Sequence, residues 1–267
     1  MRSLLLLTPL FGLPLALLSC APREVNVAAE KGGVCDYGAD PNNADARVCA
    51  DGYACEPVAG SDGEYVCGVP VLIRGHVFDA LTGTPLAGAL VTALDRTSAP
   101  VSDVAESDAD GFYELEVVAW RDSDGELTDD AVFTLQAFAA DYAPFPFGVR
   151  PALPVYSSDG TVETIPGEDR DGDGDPDDIQ RLVIATPTTE VGLIPLPAGQ
   201  RGGGTIHGSV LGNDLPGGTL VVAENGAAGA PYGLADRSGE FTIFNVQPGS
   251  VSVHGYRVGL EVDPVSV

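Results

Sequence analysis

Two blocks of this 267-residue sequence occur twice, in the same order, and that duplication limits the folds open to it. "IRGHVFDALTGTPLAGALVTA" at 73–93 aligns with "IHGSVLGNDLPGGTLVVAE" at 206–224 once a few turn residues are dropped. "SDADGFYEL" at 107–115 aligns with "ADRSGEFTI" at 235–243, pairing Asp108 with Asp236, Gly111 with Gly239 and Tyr113 with Phe241. Each copy is therefore one compact unit repeated along the chain, and the Gly-rich stretch 198–204 reads as the linker between them.

Within the copies the apolar residues alternate. Ile73, Gly75 and Val77 fall on one face, Ala89, Val91 and Ala93 on another, and Tyr113, Leu115 and Val117 face inward while Glu114 and Glu116 face out. Period 2 is the mark of half-buried strands. The 34 Gly and 21 Pro punctuate strands and break helices, and no window shows a 3.6-residue period, so very little helix is expected. In the Asp-x-x-Gly-x-aromatic segments the Gly suits a turn with positive φ, with Asp108 and Asp236 accepting hydrogen bonds from turn amides.

Gly75-x-Val77, then Thr82-Gly83-x-Pro85-Leu86-x-Gly88-Ala89-x-Val91, then Asp108-x-Asp110-Gly111-x-Tyr113 resemble the carboxypeptidase regulatory-like domain. The resemblance is specific over about 70–145 and looser over 203–267, where the Thr-Gly-x-Pro-Leu turn is missing. It implies a transthyretin-like, seven-stranded antiparallel β-sandwich without catalytic residues of its own. Its superfamily includes carbohydrate-binding-like folds. The expected fold is all-β: two such sandwiches, at 69–197 and 205–267, the second shorter, preceded by a small disulfide-rich module.

At the N-terminus Arg2 precedes an apolar run from Leu4 to Leu18, the pattern of a secretory signal over 1–19. The run is short for a membrane span, which needs about 20 residues. Leu17-Leu18-Ser19-Cys20 resembles a bacterial lipobox, with Cys20 as the lipidated residue; the plainer alternative is a secreted chain with a chance cysteine. Ala21, following the cysteine, resembles the outer-membrane pattern. Residues 20–33 then read as a polar tether. Five cysteines less Cys20 leave Cys35, Cys49, Cys55 and Cys67, all within a module at 34–68. Three connectivities are open, and the one favoured is Cys35 to Cys55 with Cys49 to Cys67. Structural zinc fits less well, because CxxC spacing and histidine are both missing from the segment.

"DRDGDGDPDD" at 169–178 is the densest charge in the chain. Asp169, Asp171, Asp173, Asp175 and Asp177, with Gly174 at the bend, follow the D-x-D-x-D-G-x-x-D order that wraps one hard cation in alternate oxygens. Gln180 stands where a bidentate Glu would close the site, and no flanking helix is expected. The loop resembles the calcium loops of thrombospondin type 3 or dockerin-like repeats, and structural calcium is the expected ion; the alternative is a solvated acidic insert. The shorter "RDSDGELTDD" at 121–130 reads as a polar hairpin loop.

With 39 Asp plus Glu against 13 Lys plus Arg, the chain carries a net charge of -26 and repels phosphate backbones, which argues against nucleic acid. His76, His207 and His254 each fall in an expected strand and form no metal or catalytic motif. No nucleophile, base and orienter can be named together, so the chain reads as a non-enzyme. The expectation is a cell-envelope, outer-membrane lipoprotein that binds or scaffolds an envelope protein or glycan. A carbohydrate-binding module or an accessory subunit of a separate hydrolase is the alternative, with Trp120, Tyr142, Phe145 and Phe147 as candidate exposed aromatics.

Overall fold

The structure is a computed structural model describing residues 28–38, 43, 45–128, 131–167, 178–211, 216–224, 229–257 and 262–267. Residues 1–19, Cys20 and the aspartates Asp169, Asp171, Asp173, Asp175 and Asp177 lie outside the described residues. The described chain is all-β. Its only helical pieces are 3-10 turns at Ser157–Asp159, Pro187–Thr189 and Ala198–Gln200, and no described helix is long and apolar enough to cross a membrane.

β1 (Ala54–Pro57) and β2 (Tyr65–Gly68) form an antiparallel hairpin in the cysteine module. Disulfides join Cys35 to Cys55 and Cys49 to Cys67, with Cα separations of 5.9 and 5.6 Å. The two closed loops overlap in sequence, so they staple a segment too short to build its own core.

The first sandwich comprises β3 (Val71–Asp79), β4 (Leu90–Leu94), β5 (Ala105–Glu106), β6 (Phe112–Val117), β7 (Val132–Phe138), β8 (Val155–Tyr156), β9 (Thr161–Pro166), β10 (Asp178–Ile184) and β11 (Val191–Leu193). One sheet runs β5-β4-β7-β8; the other centres on β3, flanked by β6 on one side and by β10 and β11 on the other. Ile73, Val77, Val91, Tyr113, Leu115, Val117 and Leu135 meet between the sheets, as the alternation requires. β10 and β11 depart from the antiparallel expectation, because both run parallel to β3. Parallel neighbours need long crossovers, and the chain between β3 and β10 provides one. β9 and β10 form the antiparallel hairpin that flanks 168–177.

The second unit comprises β12 (Gly204–Ser209), β13 (Leu220–Glu224), β14 (Tyr232–Leu234), β15 (Glu240–Val246), β16 (Ser252–Tyr256) and β17 (Val265–Ser266). β12 pairs β15, and the facing sheet runs β14-β13-β16-β17. Val221, Ala223, Ile243 and Val253 belong to a separate, smaller core. The repeat holds at the level of pairing: Gly75 faces Tyr113 across β3 and β6, and Gly208 faces Phe241 across β12 and β15.

The duplicated turns are built alike. Asp108 Oδ1 accepts from the N–H groups of Asp110 and Phe112, and Asp236 Oδ1 from those of Ser238 and Glu240, all at 2.9 Å. Gly111 (φ 76°) and Gly239 (φ 91°) close them in the left-handed region, where a Cβ would strike the carbonyls of Val77 and Val210. A third turn of the same design lies at Asp122, which accepts from Asp124 and Glu126. In "RDSDGELTDD" the Asp122 carboxylate is thus engaged by its own backbone.

Candidate functional site

A concave surface lies where the two sandwiches meet. The end of the first sandwich is held just before the linker: Leu196 N–H donates to the Asp141 carbonyl at 2.8 Å, and Ala143 N–H to the Ile194 carbonyl at 2.9 Å. Asp141 (φ 68°) and Asn245 (φ 62°) are both non-glycine residues in the left-handed region. Each is held there by contacts across the junction. Asn245 Oδ1 accepts from Asp141 N–H at 2.6 Å, while its Nδ2 donates to the carbonyls of Tyr142 at 3.0 Å and Ala139 at 3.3 Å. Asp141 Oδ1 in turn accepts from Gly202 N–H at 2.6 Å. Asx side chains tolerate this conformation because they can bond locally, so strain at two facing positions is offset by the bonds it permits.

Beside this staple opens a cleft of about 590 Å³. The first sandwich contributes Phe138, Tyr142, Phe147 and Leu196, the linker Gln200, and the second unit Tyr232, Phe244, Asn245 and Gln247. Phe138 and Tyr232 meet edge to face, with centroids 5.5 Å apart, so the floor is formed jointly by the two units. The Tyr142 hydroxyl donates to Asp79 Oδ2 at 3.0 Å, which fixes its ring. Burial, followed by that bond to Asp79, raises the Tyr142 hydroxyl above its ordinary range, keeping it a neutral donor. Among the described residues no charged side chain lines the cleft, although the chain has 39 acidic residues.

Of the four aromatics singled out from sequence, Tyr142 and Phe147 reach the cleft, and Phe147 is 57% exposed. Trp120 is exposed elsewhere, and Phe145 packs against the first core with the Arg150 guanidinium 5.4 Å from its ring centroid. Phe138, Tyr232, Phe244, Asn245 and the glutamines carry no local sequence signal. They come from four separate segments, and Asn245 departs from an ordinary strand residue in its φ.

A second feature joins the cysteine module to the first sandwich. Glu56 on β1 and Arg121, just beyond β6, form an ion pair in which each side chain is 2% exposed. Glu56 Oε1 also accepts from Ala119 N–H at 2.9 Å, and the Arg121 guanidinium donates to the Val69 carbonyl at 2.6 Å. Gly68 leaves the room: a Cβ there would lie 2.7 Å from Arg121 Nε. Burial pushes the Glu56 carboxyl up to about 7, against the opposing pull of Arg121.

Among the described residues the one tight group of three metal-ligating side chains is Cys35, Cys49 and Cys55, all in disulfides. The histidines go to separate partners: His76 to Glu190 at 3.2 Å, His207 to Thr242 at 2.9 Å, His254 to Glu224 at 3.9 Å.

No family model matches the sequence, and no curated protein matches it. Solved structures similar to it are β-rich. Catechol 1,2-dioxygenase from Pseudomonas arvilla C-1 is 18% identical over 52% of this chain and 55% of its own, with a TM-score of 0.28. The Bacillus anthracis TIE protein is 10% identical over 81% of this chain and 36% of its own, TM-score 0.26. A streptococcal ancillary pilin is 12% identical over 80% and 70%, TM-score 0.25. The chain thus spans little more than half of the dioxygenase, and none of these likenesses assigns it an activity.

Proposed function

We propose that this chain is a non-catalytic cell-envelope lipoprotein, anchored through Cys20, that binds its ligand in the cleft between two carboxypeptidase regulatory-like sandwiches. The observation that carries this reading is the cleft itself: rings and primary amides from the first sandwich, the linker and the second unit surround about 590 Å³ with no charged side chain among the described lining residues, on a chain of net charge -26. Sparing one concavity from the surface charge favours an uncharged ligand, since desolvating a carboxylate there would oppose binding. The lipobox-like Leu17-Leu18-Ser19-Cys20 and the disulfides support export, and the several acyl chains of a bacterial lipoprotein would hold it firmly.

A neutral saccharide is the ligand class the cleft chemistry favours. Ring faces stack on the apolar faces of sugars, and amides both donate to and accept from hydroxyls. The test is calorimetric titration of the full chain, in detergent, with neutral oligosaccharides, repeated with Phe147→Ala and Gln247→Ala. Saturable binding that each variant weakens at least fivefold supports the reading. Absence of heat across the panel at millimolar sugar overturns the saccharide assignment.

The loop of Asp169, Asp171, Asp173, Asp175 and Asp177 is proposed to hold structural calcium, clamping the β9–β10 hairpin. At the affinities of extracellular modules, about 10⁻⁴ to 10⁻³ M, it would be occupied outside the cell. Calcium should raise the melting temperature of the wild type and leave Asp171→Ala unmoved. Equal shifts in both would remove the site.

A further inference from the structure

β3 has neighbours on both sides, whereas β12, which takes the place of β3 in the second unit, pairs only β15 among the described residues. Three duplicated positions record the difference. Ile73 is fully buried and its counterpart Ile206 is half-buried. Tyr113 is 1% exposed and its counterpart Phe241 is half-buried. Gly75 lies under the Thr189 carbonyl, 2.1 Å from where a Cβ would stand, and the Tyr113 hydroxyl donates to that same carbonyl at 2.6 Å. At Gly208 the nearest atoms to a Cβ belong to the Phe241 ring, not to a backbone carbonyl.

The open side also offers backbone partners. Arg74 turns its carbonyl away from β6, to accept from the Thr189 hydroxyl at 2.6 Å. Val77 N–H donates to the Gly111 carbonyl and Val210 N–H to the Gly239 carbonyl, so the two strands share one phase. His207, the counterpart of Arg74, therefore directs its N–H and C=O to the unpaired edge.

We propose that this edge of β12 accepts an extended, apolar segment of a partner polypeptide, added as a strand parallel to β12. This site is distinct from the cleft and does not depend on it. The first sandwich shows the chemistry of the occupant: Leu182, Ile184, Val191 and Leu193 pack into the core that holds Ile73 and Tyr113. A second copy of the chain is the poorer occupant. On the face that meets the core its own β12 offers one apolar side chain, Ile206, where the first sandwich offers Ile184, Val191 and Leu193, and two chains of charge -26 repel. Strand addition draws its affinity from main-chain bonds and its selectivity from alternate side chains.

The probe is a capped peptide of residues 181–194, the segment that fills this place in the first sandwich, titrated into the full chain by fluorescence anisotropy with hydrogen exchange in parallel. Saturable binding that slows exchange at His207 is expected. Phe241→Tyr, which restores the hydroxyl that Tyr113 offers to the Thr189 carbonyl, should tighten binding about fivefold, the worth of one hydrogen bond. His207→Pro should weaken it at least tenfold, with circular dichroism reporting the fold. Lack of binding at millimolar peptide, protection confined to β3, an unchanged Phe241→Tyr affinity, or dimerisation without peptide that protects His207 would each overturn the proposal.

Discussion

Glu56 of the cysteine module and Arg121 of the first sandwich pair where water is excluded, and the main chain closes around them. Arg121 N–H donates to the Pro57 carbonyl and Ala59 N–H to the Arg121 carbonyl, both within 2.9 Å. The module is therefore docked through a hydrogen-bonded Glu56–Arg121 contact that is an ion pair once Glu56 is ionised. Such a pair adds little net stability over apolar residues, yet losing one partner strands a buried charge.

That arrangement makes docking depend on pH. The Glu56 carboxyl rises from its ordinary 4.5 to about 7 in the folded chain. Between these values the folded state keeps a proton that the unfolded state releases, so the stability from Glu56 is full below pH 4.5 and lost as pH rises through 7. Comparing thermal unfolding of the wild type and Glu56→Gln from pH 4 to 8 isolates it from the other carboxylates. The wild type's advantage should shrink across that window, by up to about 3 kcal/mol.

Gly68→Ala probes the same pair sterically. The added Cβ falls 2.7 Å from Arg121 Nε and 2.8 Å from Cζ, and the guanidinium has little freedom to move because it also holds the Val69 carbonyl. A loss of about 2–4 kcal/mol is expected in denaturant unfolding, near the cost of breaking a buried pair.

At the junction, Asn245 separates two effects. Asn245→Gly removes three hydrogen bonds while tolerating φ 62°, and should cost about 2 kcal/mol. Asn245→Ala should cost about 1 kcal/mol more, since a Cβ in the left-handed region is strained. Faster hydrogen exchange at the Asp141 amide is the accompanying readout.

The disulfides should matter locally. Cys49 and Cys67 close an 18-residue separation, and replacing both with Ser should cost about 3 kcal/mol. Loss should appear as unfolding of residues 28–68, with exchange in β12–β16 unchanged.

Much of the fold was legible because it is written locally. Alternation at Tyr113, Leu115 and Val117, and the Asp108–Gly111 and Asp236–Gly239 turns, act over a few residues, and the structure realises them. The favoured cystine pairing also stands. The parallel course of β10 and β11 was not legible: alternation gives the same pattern whichever way a neighbour runs. The cleft was half legible. Tyr142 and Phe147 stood out as aromatics, but Tyr232 and Asn245 join them only through a junction that no period encodes. Glu56 was invisible for a different reason: one buried carboxylate cannot be told from 38 others by its letter, only by the Arg121 it meets 65 residues later.

The three bonds of Asn245 carry a last implication for how the molecule handles whatever enters between its halves. Two bodies tied at one point by three bonds have less freedom to close around a guest. Were the proposed cleft to take a ligand, selection would come from a mould already set, in which a guest one ring too wide is turned away rather than accommodated.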